Sequence, residues 1–324
     1  MFFSHRVELN APPTQRQLAT ILASTTSPSE RKSLERLASP TSYRTSVIAK
    51  NYSTLSILED HPSAHLPLGA YIDTLKPLSP RQYSIASSPL ASHRFDAAKN
   101  TYSLSLIYDV HVAPAWDGGK DRVFRGVASS YLAGLGPGDR IHGFVRKTNN
   151  PAFRLPVDGS PIIMVAAGSG LAPMRGFVEE RVALAEAAGE GEKKKTMPPA
   201  LLYFGCRDFE KDFICKDELL AAEKAGVVGM RSTFSKRGPE AEGKEGGGVK
   251  YAYERMWKER EECSELFRDG AKILLCGSAG KLARSTAETL KKVWLERNEG
   301  KTEEEAEEWL ERQKEDRYVT DVFD

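Results

Sequence analysis

Arg81, Tyr83 and Ser84 open the stretch RQYSIASSP, which sets a guanidinium, an aromatic ring and a hydroxyl close together. On an extended strand, residues i and i+2 share a face, so Arg81 and Tyr83 project together. A cation beside an aromatic ring suits a ligand with both a phosphate and a flat heterocycle. An ordinary strand with a surface arginine and a core tyrosine would read the same way. A second stretch, PIIMVAAGSGLAPMRGF from Pro161, contains the parts of an anion site. Its apolar run to Ala167 is that of a buried parallel strand. Gly168 and Gly170 permit a tight turn and close approach of a ligand. Pro173 suits the first turn of a helix, and an apolar stripe follows at Phe177, Val178, Val182 and Leu184. Strand, turn and helix N-terminus together present free N–H groups and the positive end of a helix dipole. Pro173 replaces the third glycine of the dinucleotide fingerprint, so an ordinary tight turn stays open as an alternative. Cys276 ends the apolar run KILLC, at the strand edge where open α/β sheets bind ligands; a buried structural cysteine is the other reading.

The elements around these residues fall into three patterns. From Ser160 strand and helix alternate, with strands at 161–167, 200–205, 227–234, 272–276 and 318–322. Helices are expected near 173–188, 216–225, 250–267, 279–297 and 302–314, which makes a doubly wound parallel sheet. The segment 302–314 is charged nearly all round and reads as a solvated helix. Between 81 and 145, β-rich segments at 82–86, 101–112, 122–124 and 139–145 predict an antiparallel domain, a barrel with few strands for closure. A short helix from Ser129 to Leu135 interrupts it. Residues 1–78 read as helical and irregular, with leucines spaced for helices over 15–38 and a short helix over 68–75. His61 and His65 are four apart, but Pro62 between them and the lack of a third ligand predict a surface loop.

The 324 residues suffice for two domains with real cores. Lys+Arg 46 against Asp+Glu 45 gives a net charge of +1, so no nucleic-acid-binding surface is implied. The four cysteines, at 206, 215, 263 and 276, form no CxxC pair, which fits a reducing compartment and argues against structural zinc. The lack of an apolar run of spanning length, and of a signal-peptide core in MFFSHRVEL, predicts a cytoplasmic protein with no membrane span. A serine hydrolase requires a histidine after its nucleophile. All six histidines lie at or before His142, and that reading fails.

RQYSIASSP, GVASSYLAGL, AAGSGLAPMRGF, LLYFGCRDFEKD, LLCGSAG and the tail RYVTDVFD occur in this order. In them the chain resembles the FAD/NADPH half of the diflavin reductases, including NADPH–cytochrome P-450 reductase and the reductase part of self-sufficient fatty-acid hydroxylases. The resemblance covers essentially the whole chain, weakly before residue 66. It implies a ferredoxin–NADP reductase-like α/β NADP-binding domain, preceded by an incomplete antiparallel β-barrel FAD domain with a helical connector remnant. The implied ranges are 1–78 for the connector, 79–155 for the partial barrel and 156–324 for the NADP domain.

The resemblance also implies roles. Arg81 would hold the FAD pyrophosphate, Tyr83 would stack on the isoalloxazine, and Ser84 would bond near the flavin N5. Gly126, Val127, Ala128 and Ser129 would wrap the same pyrophosphate. Gly168, Ser169, Gly170 and Pro173 would take the NADPH pyrophosphate, with Cys206 and Arg207 on a neighbouring loop. Ser235 and Lys236, then Lys250 and Tyr251, would receive the 2′-phosphate, although Tyr253 or Glu254 replaces the family's usual glutamine. Ser84, Cys276 and Asp321 match the hydride-transfer residues, and Phe323 matches the aromatic that covers the flavin. FMN would reside only on a further domain or a partner protein, and a haem protein such as a cytochrome P-450 would be the acceptor. The first barrel strands of the family find no counterpart, so FAD is expected to be held weakly. A truncated, vestigial NADPH-binding fragment is the competing reading.

Overall fold

The structure is a computed structural model, and it describes residues 3, 6–114, 123–148, 150–188, 197–238 and 248–323. Two compact units result, Met1–Gln82 with Asp109–Ile141, and Tyr83–Tyr108 with His142–Asp324. No helix among the described residues is long and apolar enough to cross a membrane.

The first unit opens with helices α1 (Gln15–Ala23) and α2 (Pro28–Ala38). Thr14 caps α1 in a reciprocal box with Gln17, and Pro28 starts α2 where a missing N–H costs nothing. Leu18 and Ile21 of α1 and Leu34 of α2 pack with Val47, Tyr52 and Ile57 into a small core. Ile57 lies on α3 (Thr54–Asp60), which the sequence pattern did not show, whereas α4 (Leu68–Thr74) falls on the expected segment. His61 is buried rather than in a surface loop: Nδ1 lies 2.7 Å from the Ile57 carbonyl and Nε2 lies 3.1 Å from Ser33 Oγ. Both ring nitrogens are thus satisfied within the protein, and no His/Cys/Asp/Glu cluster among the described residues could hold a metal.

The β-rich region forms less sheet than its composition predicts. In the second unit β1 (Phe95–Asp96) pairs with β2 (Thr101–Tyr102), and in the first β3 (Val112–Pro114) pairs with β4 (Val123–Arg125), both antiparallel. Residues 82–86 contribute only the isolated bridge Ile85–Leu106. The segment 139–145 is no strand and is exposed throughout. A β-prone sequence becomes a strand only where a neighbour supplies ladder partners. No described strand does so here, and no closed barrel forms among the described residues. The predicted strand at 122–124 is β4, apart from Arg122, which lies outside the described residues. The helix expected over 129–135 is α5 (Val127–Ala133), starting directly after Gly126.

The second unit holds a five-stranded parallel sheet in the order β7-β6-β5-β8-β9. The strands are β5 (Ile162–Ala167), β6 (Ala200–Asp208), β7 (Gly229–Arg237), β8 (Lys272–Ser278) and β9 (Tyr318–Phe323). The helices are α6 (Leu171–Ala187), α7 (Lys216–Lys224), α8 (Ala252–Lys258), α9 (Arg260–Arg268), α10 (Arg284–Arg297) and α11 (Glu303–Gln313). Successive residues of β5 serve opposite faces. Ile162, Met164 and Ala166 pack with Met174 and Val178 of α6 and Leu219 of α7. Ile163 and Val165 pack with Met256 of α8, Leu290 of α10 and Leu310 of α11. Burial on both sides explains why β5 reads as an unbroken apolar run, each large side chain contributing roughly 1.5–3 kcal/mol.

Three local expectations change. The single helix over 250–267 is two, separated at Glu259. On α6, Leu184 is exposed, and Phe177, Val178 and Val182 carry the packing face. Helix α11 is not solvated all round, because Ala306 and Leu310 are buried and Trp309 stacks on Trp294 at 5.7 Å.

Candidate active site

The three residues matched to hydride transfer come together at the carboxyl edge of the parallel sheet. Ser84 Oγ donates to Asp321 Oδ2 at 2.9 Å, and both side chains are half-buried. Cys276 on β8 is the register partner of Asp321 on β9. The Cys276 thiol is buried, and burial together with the Asp321 charge pushes it up to about 12, so it stays neutral at physiological pH. A neutral thiol beside a hydroxyl locked on a carboxylate offers polar contacts without a second charge.

The glycine turn lies directly against this group. Gly168, at φ +54, begins a 3-10 turn through Gly170 that leads into α6. A Cβ on Gly168 would meet nothing within 4 Å, so the space over the turn is open. A Cβ on Gly170 would stand 2.2 Å from the Cys276 carbonyl oxygen, so only glycine lets the turn approach β8 this closely. Pro173 lies in the first turn of α6. A left-handed glycine, open space and a helix N-terminus fit a dinucleotide pyrophosphate.

Beside the turn, Cys206 on β6 pairs in register with Phe234 of β7, which places Cys206 and Arg207 at the same sheet end as Ser235 and Lys236. Cys206 is half-buried, its thiol pushed up to about 12 by burial and by Asp212 and Asp208. Arg207 and Lys236 are exposed. Lys250 is also exposed and precedes Tyr251, the N-cap of α8. Glu254 spends one carboxylate oxygen on the backbone N–H groups of Lys250 and Tyr251, at 2.8 and 3.1 Å. Tyr253 stacks on Tyr251 at 5.4 Å with rings 8° apart. Of the two replacements for the usual glutamine, Glu254 is therefore a cap and Tyr253 stands beside Tyr251. Phe323, at the end of β9, is 46% exposed, so its ring is free to meet a ligand.

In the first unit, Arg81 is engaged within the protein. Its Nη2 donates to Glu8 Oε2 at 3.0 Å, Nη1 donates to Glu8 Oε1, and Nη1 also reaches the Ser79 carbonyl at 2.7 Å. The Arg81 bond is the main reason the Glu8 carboxyl lies below its usual range. Two residues on, Asn10 donates to the Arg125 carbonyl at 3.1 Å, just ahead of Gly126. The Gly126–Ser129 turn is drawn onto His111: Gly126 N donates to the His111 carbonyl at 2.8 Å, and Ser129 Oγ accepts from His111 N at 3.1 Å. Ser130 Oγ is buried without a hydrogen-bond partner among the described residues, a polar atom that fits a ligand contact at this turn. Tyr83, in the second unit, meets Tyr108 edge-on at 5.8 Å. Glu8 was not singled out from sequence. It precedes Arg81 by 73 residues, and no local spacing links them.

Residues 1–131 match the family described as an FAD binding domain, and residues 164–288 match an oxidoreductase NAD-binding domain. Over 98% of its length the chain is 38% identical to a bifunctional cytochrome P450/NADPH–P450 reductase, ascE, of Acremonium egyptiacum. It is 38% identical over 99% of its length to a protein of the same description from Fusarium oxysporum, and 35% identical over 99% to bifunctional cytochrome P450/NADPH–P450 reductase 2 of Bacillus subtilis. The chain spans 28% of the length of each of these relatives. FAD and NADPH are its cofactors. The chain is thus an oxidoreductase that carries an FAD binding domain followed by an NAD-binding domain, and it is similar to part of the bifunctional cytochrome P450/NADPH–P450 reductases.

Proposed function

We propose that this chain takes hydride from NADPH onto FAD and passes the electrons to an FMN-containing domain or protein, and from there to a haem acceptor such as a cytochrome P-450. The observation that carries the proposal is the Ser84–Asp321 bond beside Cys276, with the Gly168–Gly170 turn against the same strand. Bound FAD supplies the redox chemistry, accepting two electrons together and releasing them singly. The protein supplies orientation. Asp321 holds the Ser84 proton on its own side, so the hydroxyl oxygen keeps lone pairs to accept from an N–H of a bound ring. Cys276, as a neutral thiol, fills the floor of the site without repelling a cationic nicotinamide or attracting water. Gly168, Ser169, Gly170 and Pro173 receive the NADPH pyrophosphate, with Cys206 and Arg207 alongside. Arg81 and the Gly126, Val127, Ala128 and Ser129 turn receive that of FAD, Arg81 sharing its guanidinium with Glu8. Tyr83 and Phe323 supply the aromatic faces.

Ser235, Lys236, Lys250 and Tyr251 give the preference for NADPH. The 2′-phosphate carries close to two negative charges at neutral pH, and the exposed Lys236 ammonium at the end of β7 is placed to meet it. Losing one charge-assisted contact costs roughly 1.5–3 kcal/mol, about a ten- to hundredfold weakening. Lys236→Ala is expected to weaken NADPH binding by that order and to leave NADH almost unchanged, as read by titration with both coenzymes. An equal loss for both would assign Lys236 to folding or to a part the two coenzymes share.

The second reading, an NADPH-binding fragment with little electron transfer, draws on the two short antiparallel pairs that stand where a barrel was expected. An open sheet edge leaves unpaired backbone groups and encloses a ligand less. The two readings part on whether NADPH reduces bound flavin.

A further inference from the structure

We infer that Glu179, acting with Arg175 one helical turn earlier on α6, is a positioning residue for Ser84. The inference rests on the proposal that Ser84 sits on the hydride path. The Ser84 hydroxyl is anchored on Asp321, and its neighbour Ile85 bridges to Leu106. The three residues 86–88 that follow are buried and held by α6. The Ala86 carbonyl accepts from Arg175 Nη1. Ser87 lies flat on the helix at Gly176, where an added Cβ would stand 3.3 Å from its nitrogen and 3.4 Å from its oxygen. Ser88 N donates to Glu179 Oε2 at 2.6 Å.

The other Glu179 oxygen is equally committed. Oε1 accepts from Arg94 Nε at 3.0 Å and Nη2 at 2.8 Å, and His93 Nε2 lies 3.2 Å away. Arg94 then donates through Nη1 to Ser105 Oγ at 3.0 Å. Ser105 brackets the same segment from its other side: its N–H donates to Ser87 Oγ at 3.0 Å, and its carbonyl accepts from Ala86 N at 2.8 Å. Arg175 is fixed in turn by Glu218 of α7, at 2.8 and 3.0 Å. A buried carboxylate persists only when paired, and here both oxygens are used on one short segment and its clamp. Helix α6 is also the helix that starts at the Gly168–Gly170 turn. One rigid element therefore sets the pyrophosphate turn and the Ser84 hydroxyl in a common frame, which is what precise placement of a reacting group requires.

The test compares wild type, Ser84→Ala, Glu179→Gln, Glu179→Ala and the double variant Ser84→Ala/Glu179→Ala. Three quantities are read: amide hydrogen exchange over 84–90 without flavin, the NADP+ Kd, and the single-turnover rate of flavin reduction in the FAD-reconstituted chain. Glu179→Ala is expected to raise exchange over 84–90 and leave β5 and β8 protected. It should keep the NADP+ Kd within about twofold and slow flavin reduction about tenfold. Glu179→Gln, which can still accept from Ser88 N, should fold as wild type and lose severalfold less. A residue that acts through another adds nothing once that other is gone, so the double variant should be no slower than Ser84→Ala alone. Additive losses, or a Kd that rises in step with the rate loss, would make Glu179 a general structural residue and overturn the inference. So would an unchanged rate in Glu179→Ala, with Ser84→Ala impaired. A silent Ser84→Ala would overturn the proposed role of Ser84 first, and the positioning role with it.

Discussion

Asp321→Ala is expected to slow flavin reduction by NADPH about a hundredfold, the scale of loss that a small misplacement of a reacting group produces. Asp321 Oδ2 accepts the Ser84 hydroxyl proton. Without it the hydroxyl rotates freely, and its lone pairs no longer face one direction. The backbone of β9 keeps its ladder with β8 through Asp321 and its neighbours, so folding and NADP+ affinity should change little. Asp321→Asn separates two contributions of the same side chain. An amide oxygen still accepts from Ser84, so orientation survives while the negative charge is lost. If orientation dominates, Asn should recover most of the rate. Equal losses in Ala and Asn would mean that the charge itself acts on the nicotinamide. Stopped-flow absorbance of the flavin, at saturating NADPH, decides between them.

The second large effect concerns Gly170. An alanine Cβ there would meet the carbonyl oxygen of Cys276 at 2.2 Å and its carbonyl carbon at 2.7 Å. Both atoms belong to the central sheet and cannot rotate away as a side chain would. Gly170→Ala is expected to cost about 3 kcal/mol or more, the upper end for overpacking, and to push the turn off β8. NADP+ binding should weaken at least about tenfold as the N–H groups of the turn lose their aim. Gly168→Ala is the contrast, since nothing lies within 4 Å of the added carbon and only the φ of +54 resists it. That strain costs roughly 1–2 kcal/mol, so Gly168→Ala should remain folded. Urea unfolding and NADP+ titration of both variants check this, and wild-type stability in Gly170→Ala would contradict the close approach.

The parts of this molecule that were legible in sequence are those whose signals are local. Strand β5 declared itself because burial on both faces removes the polar alternation. The glycine turn and Pro173 carry backbone requirements in their residue types. The order of the motifs around Arg81, Gly126, Gly168, Cys206, Cys276 and Asp321 carried the family. What stayed hidden is decided by partners far along the chain. Glu179 holds Ser88 and Arg94, 91 and 85 residues away, and nothing in VEERV distinguishes it from its neighbour Glu180. His61 read as a surface loop because its burial depends on Ser33, on another helix. The segment 139–145 has strand composition but no described neighbour to pair with, and composition cannot report a missing partner.

The central claim is that this chain moves hydride from NADPH to FAD. The most direct measurement is anaerobic single turnover of the FAD-reconstituted chain, mixed with NADPH and with NADPH deuterated at the transferred position. The account predicts bleaching of the flavin absorbance, slowed by the deuterium and slowed further in Asp321→Ala. Flavin that stays oxidised in the presence of saturating, bound NADPH would contradict it and leave the NADPH-binding fragment as the description of this protein.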